Sequence, residues 1–213
     1  MRLAETSYHA RVSADPDPAK SRTDRRREQI LDAAARVFAE KGYHEAGIAD
    51  IATDLGIGHG TFYRYFANKK EIVNQAVDWA VRQITDTVLE EDPSASSSLS
   101  EHRAQLERIY LRLFTLQDRH PHLIRFLYRQ ATDPAKLGMA LDGFLGYAAS
   151  LITNGIEKRF LRQDIDVDIA AQALVAVMFD VMRRSATTPM SVELRQRWMT
   201  TGTRMMLEGL QAP

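Results

Sequence analysis

IADIATDLGIGHGTFYRYFANKKEI, residues Ile48 to Ile72, is the stretch whose reading decides the fold. Ile48, Ile51, Ala52 and Leu55 recur at helical spacing and give one short helix an apolar stripe. Gly56 follows directly, where a helix stop needs a residue that tolerates positive φ. Ala52 is small enough to let a second helix cross closely. That second helix begins after Gly58. Phe62 and Phe66, at i and i+4, point one way along it, and Gly60, Thr61, Tyr63 and Arg64 point the other. The outward set is rich in groups that hydrogen-bond to phosphates and base edges, as the second helix of a helix-turn-helix requires.

Upstream, Ser21 or Thr23 is a fair N-cap for a helix running to about Lys41, with Ile30, Leu31, Ala34, Val37 and Phe38 on one stripe and Gly42 as its end. Arg25, Arg26 and Arg27 stand at its start, where the helix dipole prefers acids. A phosphate backbone explains them better than a local structural role. Residues 20–70 hold ten Lys and Arg against seven Asp and Glu, a net of +3, whereas residues 71–213 hold sixteen against eighteen, a net of −2. The basic excess therefore lies with the motif although the whole chain is neutral.

Downstream, Asn68 caps a long helix from Lys69 to about Glu90. Residues 90–98, EEDPSASSS, have the composition of a linker. Helical periodicity then continues to the end: about 100–119, a short helix after Pro121, about 134–160, about 166–186 and about 191–210. No strand-like alternation occurs. The expected architecture is all-α with about nine helices, divided into a flexible arm (1–20), a three-helix DNA-binding domain (21–68) and a helical ligand-binding and dimerisation domain (69–213). Within Ile169 to Met182 only Gln172 and Asp180 interrupt the apolar run, so this helix needs cover on nearly every side. With Trp198, Met199, Met205, Met206 and Leu207 on the last helix, homodimerisation through the final two helices is expected.

The 213 residues contain no cysteine, which excludes disulfide frameworks, zinc-thiolate sites and thiol nucleophiles. No apolar run approaches the roughly 20 residues that span a bilayer, and the N-terminal stretch lacks an apolar core segment, so a cytoplasmic protein without membrane contact is expected. No glycine-rich phosphate loop, nucleophile elbow or paired acids at metal spacing suggest an enzyme or a cofactor. His120-Pro121-His122 has no third ligand at helical spacing nearby and reads as a surface turn, so no metal is assigned.

The segment from about Arg25 to Val77 resembles the DNA-binding domain of TetR-family transcriptional regulators. The resemblance is carried by ILDAAARVFAEKGY (Ile30 to Tyr43), IADIATDLGI (Ile48 to Ile57), GTFYRYF (Gly60 to Phe66) and NKKEI (Asn68 to Ile72). It implies a homodimeric repressor that binds a palindromic double-stranded DNA operator and is released by a small-molecule effector, here a small apolar one. It places Thr61, Tyr63 and Arg64 on DNA, Tyr63 and Lys69 on phosphates, with His59 and Gly60 beside them. Where the family has a Thr or Ser before its second helix, this chain has Ala46-Gly47, and Gly58-His59 stands where Ser-Lys is usual. Ala49 cannot reach a base. A partner-binding helical adaptor with weakened DNA binding is the alternative.

For the effector, Tyr110, Phe114, Phe126, Tyr147, Leu151, Met178 and Phe179 lie on inner stripes, with Asn154 and Asp180 as orienting polar groups. Asp180, amid apolar neighbours, needs a partner: Arg183, Arg184, a cationic ligand or the dimer seam. Because few side chains can read bases, phosphate contacts should dominate affinity. Operator binding is expected to weaken by an order of magnitude or more between low and physiological salt; an isotherm that barely moves would refute this.

Overall fold

The computed structural model describes residues 21–129 and 134–210, and the expected arm, residues 1–20, lies outside them. Nine helices form among the described residues: α1 (Arg22–Glu45), α2 (Ile48–Asp54), α3 (His59–Tyr63), α4 (Lys69–Leu89), α5 (Leu99–Arg119), α6 (Leu123–Arg129), α7 (Pro134–Glu157), α8 (Val167–Thr187) and α9 (Val192–Leu210). The fold is all-α, with an N-terminal helix-turn-helix. None of these helices is long and apolar enough to cross a membrane.

The starts and stops follow side-chain chemistry. Ser21 accepts the Asp24 N–H at 3.1 Å, Asn68 the Glu71 N–H at 2.9 Å and Ser98 the Glu101 N–H at 3.3 Å, each satisfying a first-turn donor that the helix leaves unpaired. Gly42, at φ 80°, breaks α1, yet helical turns resume to Glu45, three residues beyond the stop expected at Lys41–Gly42. Gly56, at φ 62°, closes α2: its N–H reaches Thr53 O at 3.1 Å and Ile57 N–H reaches Ala52 O at 2.9 Å. That pair of bonds is a Schellman closure, and it requires the left-handed residue.

One continuous core links the motif to the larger helical body. Phe62 and Phe66 are buried with Ile30, Leu31 and Phe38 of α1 and Ile72 and Ala76 of α4. α1 is also held from the far side by α6. Phe38 stacks on Phe126 with centroids 6.3 Å apart, and Arg129 donates to the carbonyls of Ala39 (2.8 Å) and Glu40 (2.9 Å) near the end of α1. α7 packs along α8, and α9 packs on α5.

Residues 90–98 are not a linker. Glu91 is buried and takes a two-pronged bond from Arg108 (2.9 and 2.8 Å) and an ion pair from Arg112 (3.0 Å), while its carbonyl accepts the Tyr147 hydroxyl at 2.9 Å. Ser96 is buried between His102 Nδ1 (3.2 Å) and Asn154, which donates to its carbonyl (2.9 Å) and hydroxyl (3.2 Å). A serine within such a run can be buried when its hydroxyl and carbonyl find partners, as Ser96 does, and composition does not report that.

His102 itself is 2% exposed and meets the Ser96 hydroxyl through Nδ1. Burial pushes its imidazole down to about 4. Between that value and the ordinary 6.5 the unfolded chain binds the proton that the folded chain refuses. Stability is therefore complete above about pH 6.5 and falls as pH drops toward 4, by roughly 3 kcal/mol at most. Denaturant unfolding across this range should show a shallower acid loss in His102→Gln than in the native chain, and equal slopes would remove His102 from the account.

Candidate nucleic-acid interface and ligand cleft

α3 has only five residues and no side-chain cap; Gly58 O starts it by accepting from Thr61 (2.9 Å) and Phe62 (3.4 Å). Burial of Phe62 fixes the rotation of the helix. His59, Gly60, Tyr63 and Arg64 are exposed as a result, with Tyr63 at 55%, and Thr61 is half-buried. These five groups occupy one outward edge. Ala49 is exposed at the first turn of α2, and Ala46 is buried rather than presented to solvent.

No side chain caps α2 at Gly47, and Asp50 at N3 reaches back to the cap residue instead. Its Oδ2 accepts the Gly47 N–H at 2.7 Å, and its Oδ1 pairs with Lys41 Nζ at 2.7 Å. The Lys41 hydrogen bond and the Gly47 N–H hold the Asp50 carboxyl below the usual carboxylate range.

Two of the basic residues assigned to phosphate are engaged within the fold. Arg27 does not stand free at the start of α1. Its guanidinium lies 4.8 Å from the Phe66 ring centre, donates to Tyr65 O at 3.4 Å and binds the Gln75 side chain of α4. The local structural role set aside on dipole grounds is the one Arg27 has, because it spans α1, the end of the reader and α4. Lys69 Nζ donates to His44 O at 3.1 Å and sits 4.6 Å from the Tyr43 ring, pinning the start of α4 to the end of α1. Arg26 donates to Gln29 at 2.9 Å, and Arg25 is half-buried beside it.

Behind this assembly are two apolar clefts. The first is lined by Val88 of α4, Leu106, Ile109 and Tyr110 of α5, Phe144, Tyr147, Ala148 and Leu151 of α7, and Leu174, Val175 and Met178 of α8; it encloses about 400 Å³ including its mouth. The second, about 360 Å³, is lined by Ile84, Leu113, Leu116, Gln117, Leu123, Ile124, Met178, Phe179 and Met182. Met178 is a wall of both. Burial pushes the Tyr110 and Tyr147 hydroxyls up to about 12, so both stay neutral donors.

Of the residues expected in a pocket, Tyr110, Tyr147, Leu151 and Met178 line the first cleft, and Met178 and Phe179 the second. Four do not line either. Phe126 is fully buried against Phe38, and Phe114 is buried under the Arg195 guanidinium, 5.2 Å from its ring. Asn154 is committed to Ser96. Asp180 lies on the outer side, paired with Arg183 at 2.7 Å and Arg184 at 2.5 Å, so its partner is intrahelical. Seven walls of the first cleft lie outside the expected set, Val88, Leu174 and Val175 among them; they share the stripes of their helices, but a stripe does not distinguish a cleft wall from solid packing.

His120-Pro121-His122 is also not a surface turn. His122 is buried, and Asp32 Oδ1 of α1 lies 2.6 Å from His120 Nδ1 and 3.1 Å from His122 Nε2. Burial raises the Asp32 carboxyl, but the two imidazoles outweigh it and hold the group far below the usual carboxylate range.

A glycine-closed helix-turn-helix with a polar outward edge on a buried aromatic footing defines a DNA-binding transcriptional regulator, not an enzyme. Residues 30–76 match the model of the bacterial regulatory proteins of the tetR family. Over that segment the chain is similar to the DNA-binding part of TetR-family regulators. It is 28% identical to the fatty acid metabolism regulator protein of Bacillus subtilis (strain 168) over 162 residues, 75% of this chain and 81% of that protein. It is 27% identical to the transcriptional repressor KstR2 of Mycobacterium tuberculosis (strain CDC 1551 / Oshkosh) over 163 residues, 72% of this chain and 78% of that one. The fold is shared with the transcriptional regulator FadR from Bacillus subtilis solved in complex with stearoyl-CoA, at a TM-score of 0.69 and 23% identity over 86% of this chain and 99% of that one.

Tyr63 and Arg27 should separate in mutagenesis. Tyr63→Phe removes one exposed hydroxyl, so unfolding should be unchanged while DNA affinity falls about fivefold to tenfold, equally for all sequences if the lost partner is a phosphate. Arg27→Ala should lower stability by about 1–2 kcal/mol in denaturant unfolding, since the Phe66 ring and two acceptors lose their cation.

Proposed function

We propose that the protein is a homodimeric repressor released from its operator by an elongated apolar effector of the acyl class. The observation that carries this reading is the position of α4. Its first turn accepts the Ala67 N–H just after the reader through Glu71 at 2.7 Å and shares Ile72 and Ala76 with the buried Phe62 and Phe66, and its other end contributes Ile84 and Val88 to the two clefts. A ligand that widens either cleft has to displace the helix on which the reader is mounted.

The clefts suit a long apolar group better than a compact polar one. Nearly all lining atoms are hydrocarbon, and the two spaces adjoin at Met178. A methionine side chain is unbranched and readily moved, and here it is the wall common to both clefts. The relationship to a regulator solved with stearoyl-CoA supports an acyl ligand here.

Dimerisation is read from α8 and α9. Ile169 is 61% exposed, Val192 55% and Met205 66%, and Ala173 and Ala176 lie exposed along α8. Large apolar side chains in contact with water on two adjacent elements, with alanines that allow close helix approach, mark a protein interface. Two copies would present their recognition helices to successive half-sites of a palindrome, one DNA turn or about 34 Å apart. The effector acts only if it binds one spacing better than the other.

The test is gel retardation of the protein's own upstream DNA with palmitoyl-CoA or free CoA added. Release by palmitoyl-CoA alone is expected. Met178→Trp, which fills the junction, should retain DNA binding while raising the palmitoyl-CoA needed for release about tenfold or more. Retardation that palmitoyl-CoA leaves untouched would sink the acyl assignment.

A further inference from the structure

We propose that Asp32, His120 and His122 form a binding site for a borderline divalent cation of the Zn²⁺ class, which clips α1 to the turn between α5 and α6. The three ligand atoms lie within 4.8 Å of one another. One carboxylate oxygen, Asp32 Oδ1, already faces both imidazole nitrogens, at 2.6 and 3.1 Å. Ligands of a tetrahedral zinc centre, at about 2.0–2.1 Å from the metal, are roughly 3.3 Å apart. The two Asp32–His pairs are thus within about 0.7 Å of that spacing, and the two ring nitrogens, at most 4.8 Å apart, close by up to about 1.5 Å between them to take a metal.

The chemistry of the set selects the ion. Two imidazoles and a single carboxylate suit zinc, cobalt or nickel, whereas calcium and magnesium require more oxygen. Pro121 restricts the backbone between the histidines, so the spacing of the two rings is largely preset. Arg36 Nη2 binds the other oxygen, Asp32 Oδ2, at 2.9 Å. That bond leaves Oδ1 to act as a single-oxygen ligand and fixes the carboxylate's orientation, as outer partners of metal ligands do, although the nearby positive charge lowers affinity. The Trp79 ring stands edge-on to His120 at 5.3 Å and walls one side. Side-chain exposures of 23% for His120 and Asp32, against 6% for His122, leave an entry for the ion and for a water as fourth ligand.

The ligands come from α1 of the reader assembly and from a turn nearly ninety residues later, so the ion would join two parts that only tertiary packing connects. It would add a third tie to the α1–α6 seam, beside Phe38–Phe126 and the Arg129 bonds. This inference does not depend on the acyl reading, since it uses none of the cleft residues.

The experiment is a Co²⁺ titration of the tag-free full chain, followed by visible absorption and by imidazole ¹⁵N shifts, with Zn²⁺ as competitor. One equivalent of Co²⁺ should give d–d bands that Zn²⁺ abolishes, and Zn²⁺ should raise the melting temperature by several degrees. Asp32→Asn should weaken Co²⁺ binding at least tenfold. In the native chain Zn²⁺ should shift the ring nitrogens of His120 and His122 and not those of His44, His59 or His102, which keeps the test decisive if the variant does not fold. Absence of bands and of any thermal shift, bands that survive in Asp32→Asn/His122→Gln, or ¹⁵N shifts confined to other histidines would each overturn the site.

Discussion

A helix of five residues cannot hold its shape in water, because nucleation fixes several residues before the first hydrogen bond repays the entropy. α3 exists only because Phe62 is buried under it and Phe66 just beyond it, both against α1 and the first turns of α4. The outward edge of the reader is therefore set by two aromatic side chains that no DNA touches. Arg27 belongs to the same footing: it covers the Phe66 ring while bonding to the end of the reader and to α4. The dipole argument failed for it because a cation near a helix N-terminus costs only about 0.3–1 kcal/mol, less than a cation–π contact and two hydrogen bonds return.

From that footing the rest of the molecule follows through α4. It has 21 residues, about 30 Å, and its apolar stripe serves two cores in succession: Ile72 and Ala76 under the reader, then Ile84 and Val88 at the clefts. A rigid element with one end in each site is the simplest carrier of coupling, since packed helices shift as units. The α1–α6 seam sets the limit on such motion. Phe38 on Phe126 and Arg129 on the Ala39 and Glu40 carbonyls of α1 hold one side of the reader assembly, so under the proposed coupling any shift of α4 would run against a held neighbour.

The helices were legible in the sequence because periodicity and caps are local. Asn68, Ser98 and Gly56 announce their roles within four residues of where they act. What failed to show was pairing between distant segments. The Ser-rich run at 90–98 reads as solvated, yet Ser96 and Glu91 are buried because Asn154 and Arg108, far along the chain, meet their polar atoms. His120 and His122 look like a turn until Asp32 is brought to them. Phe114 and Phe126 share the inner-stripe pattern of Tyr110 and Tyr147, and only the packing of the neighbouring helix decides which ring faces a cleft and which faces solid core. Side-chain type reports what a residue needs, and tertiary structure decides who supplies it.

The sparse outward edge follows the same logic. Ala49 and Gly58 remove side chains that could reach bases, and Asp50, which accepts the Gly47 N–H, brings a negative charge close to the side where a phosphate would approach. That charge is tolerable because Lys41 lies 2.7 Å away and neutralises it locally. On the proposed assignment base discrimination rests on His59, Thr61, Tyr63 and Arg64, of which only Arg64 offers the two-pronged geometry that reads guanine. One half-site carries little information on this basis. Two copies in the proposed dimer double it, and their fixed separation adds a further filter: a DNA whose twist or stiffness places the half-sites wrongly costs deformation energy even when its bases match. Selectivity in such a reader lies as much in the spacing that α4 controls as in the bases α3 touches, so a ligand acting on α4 alters recognition without altering a single contact residue.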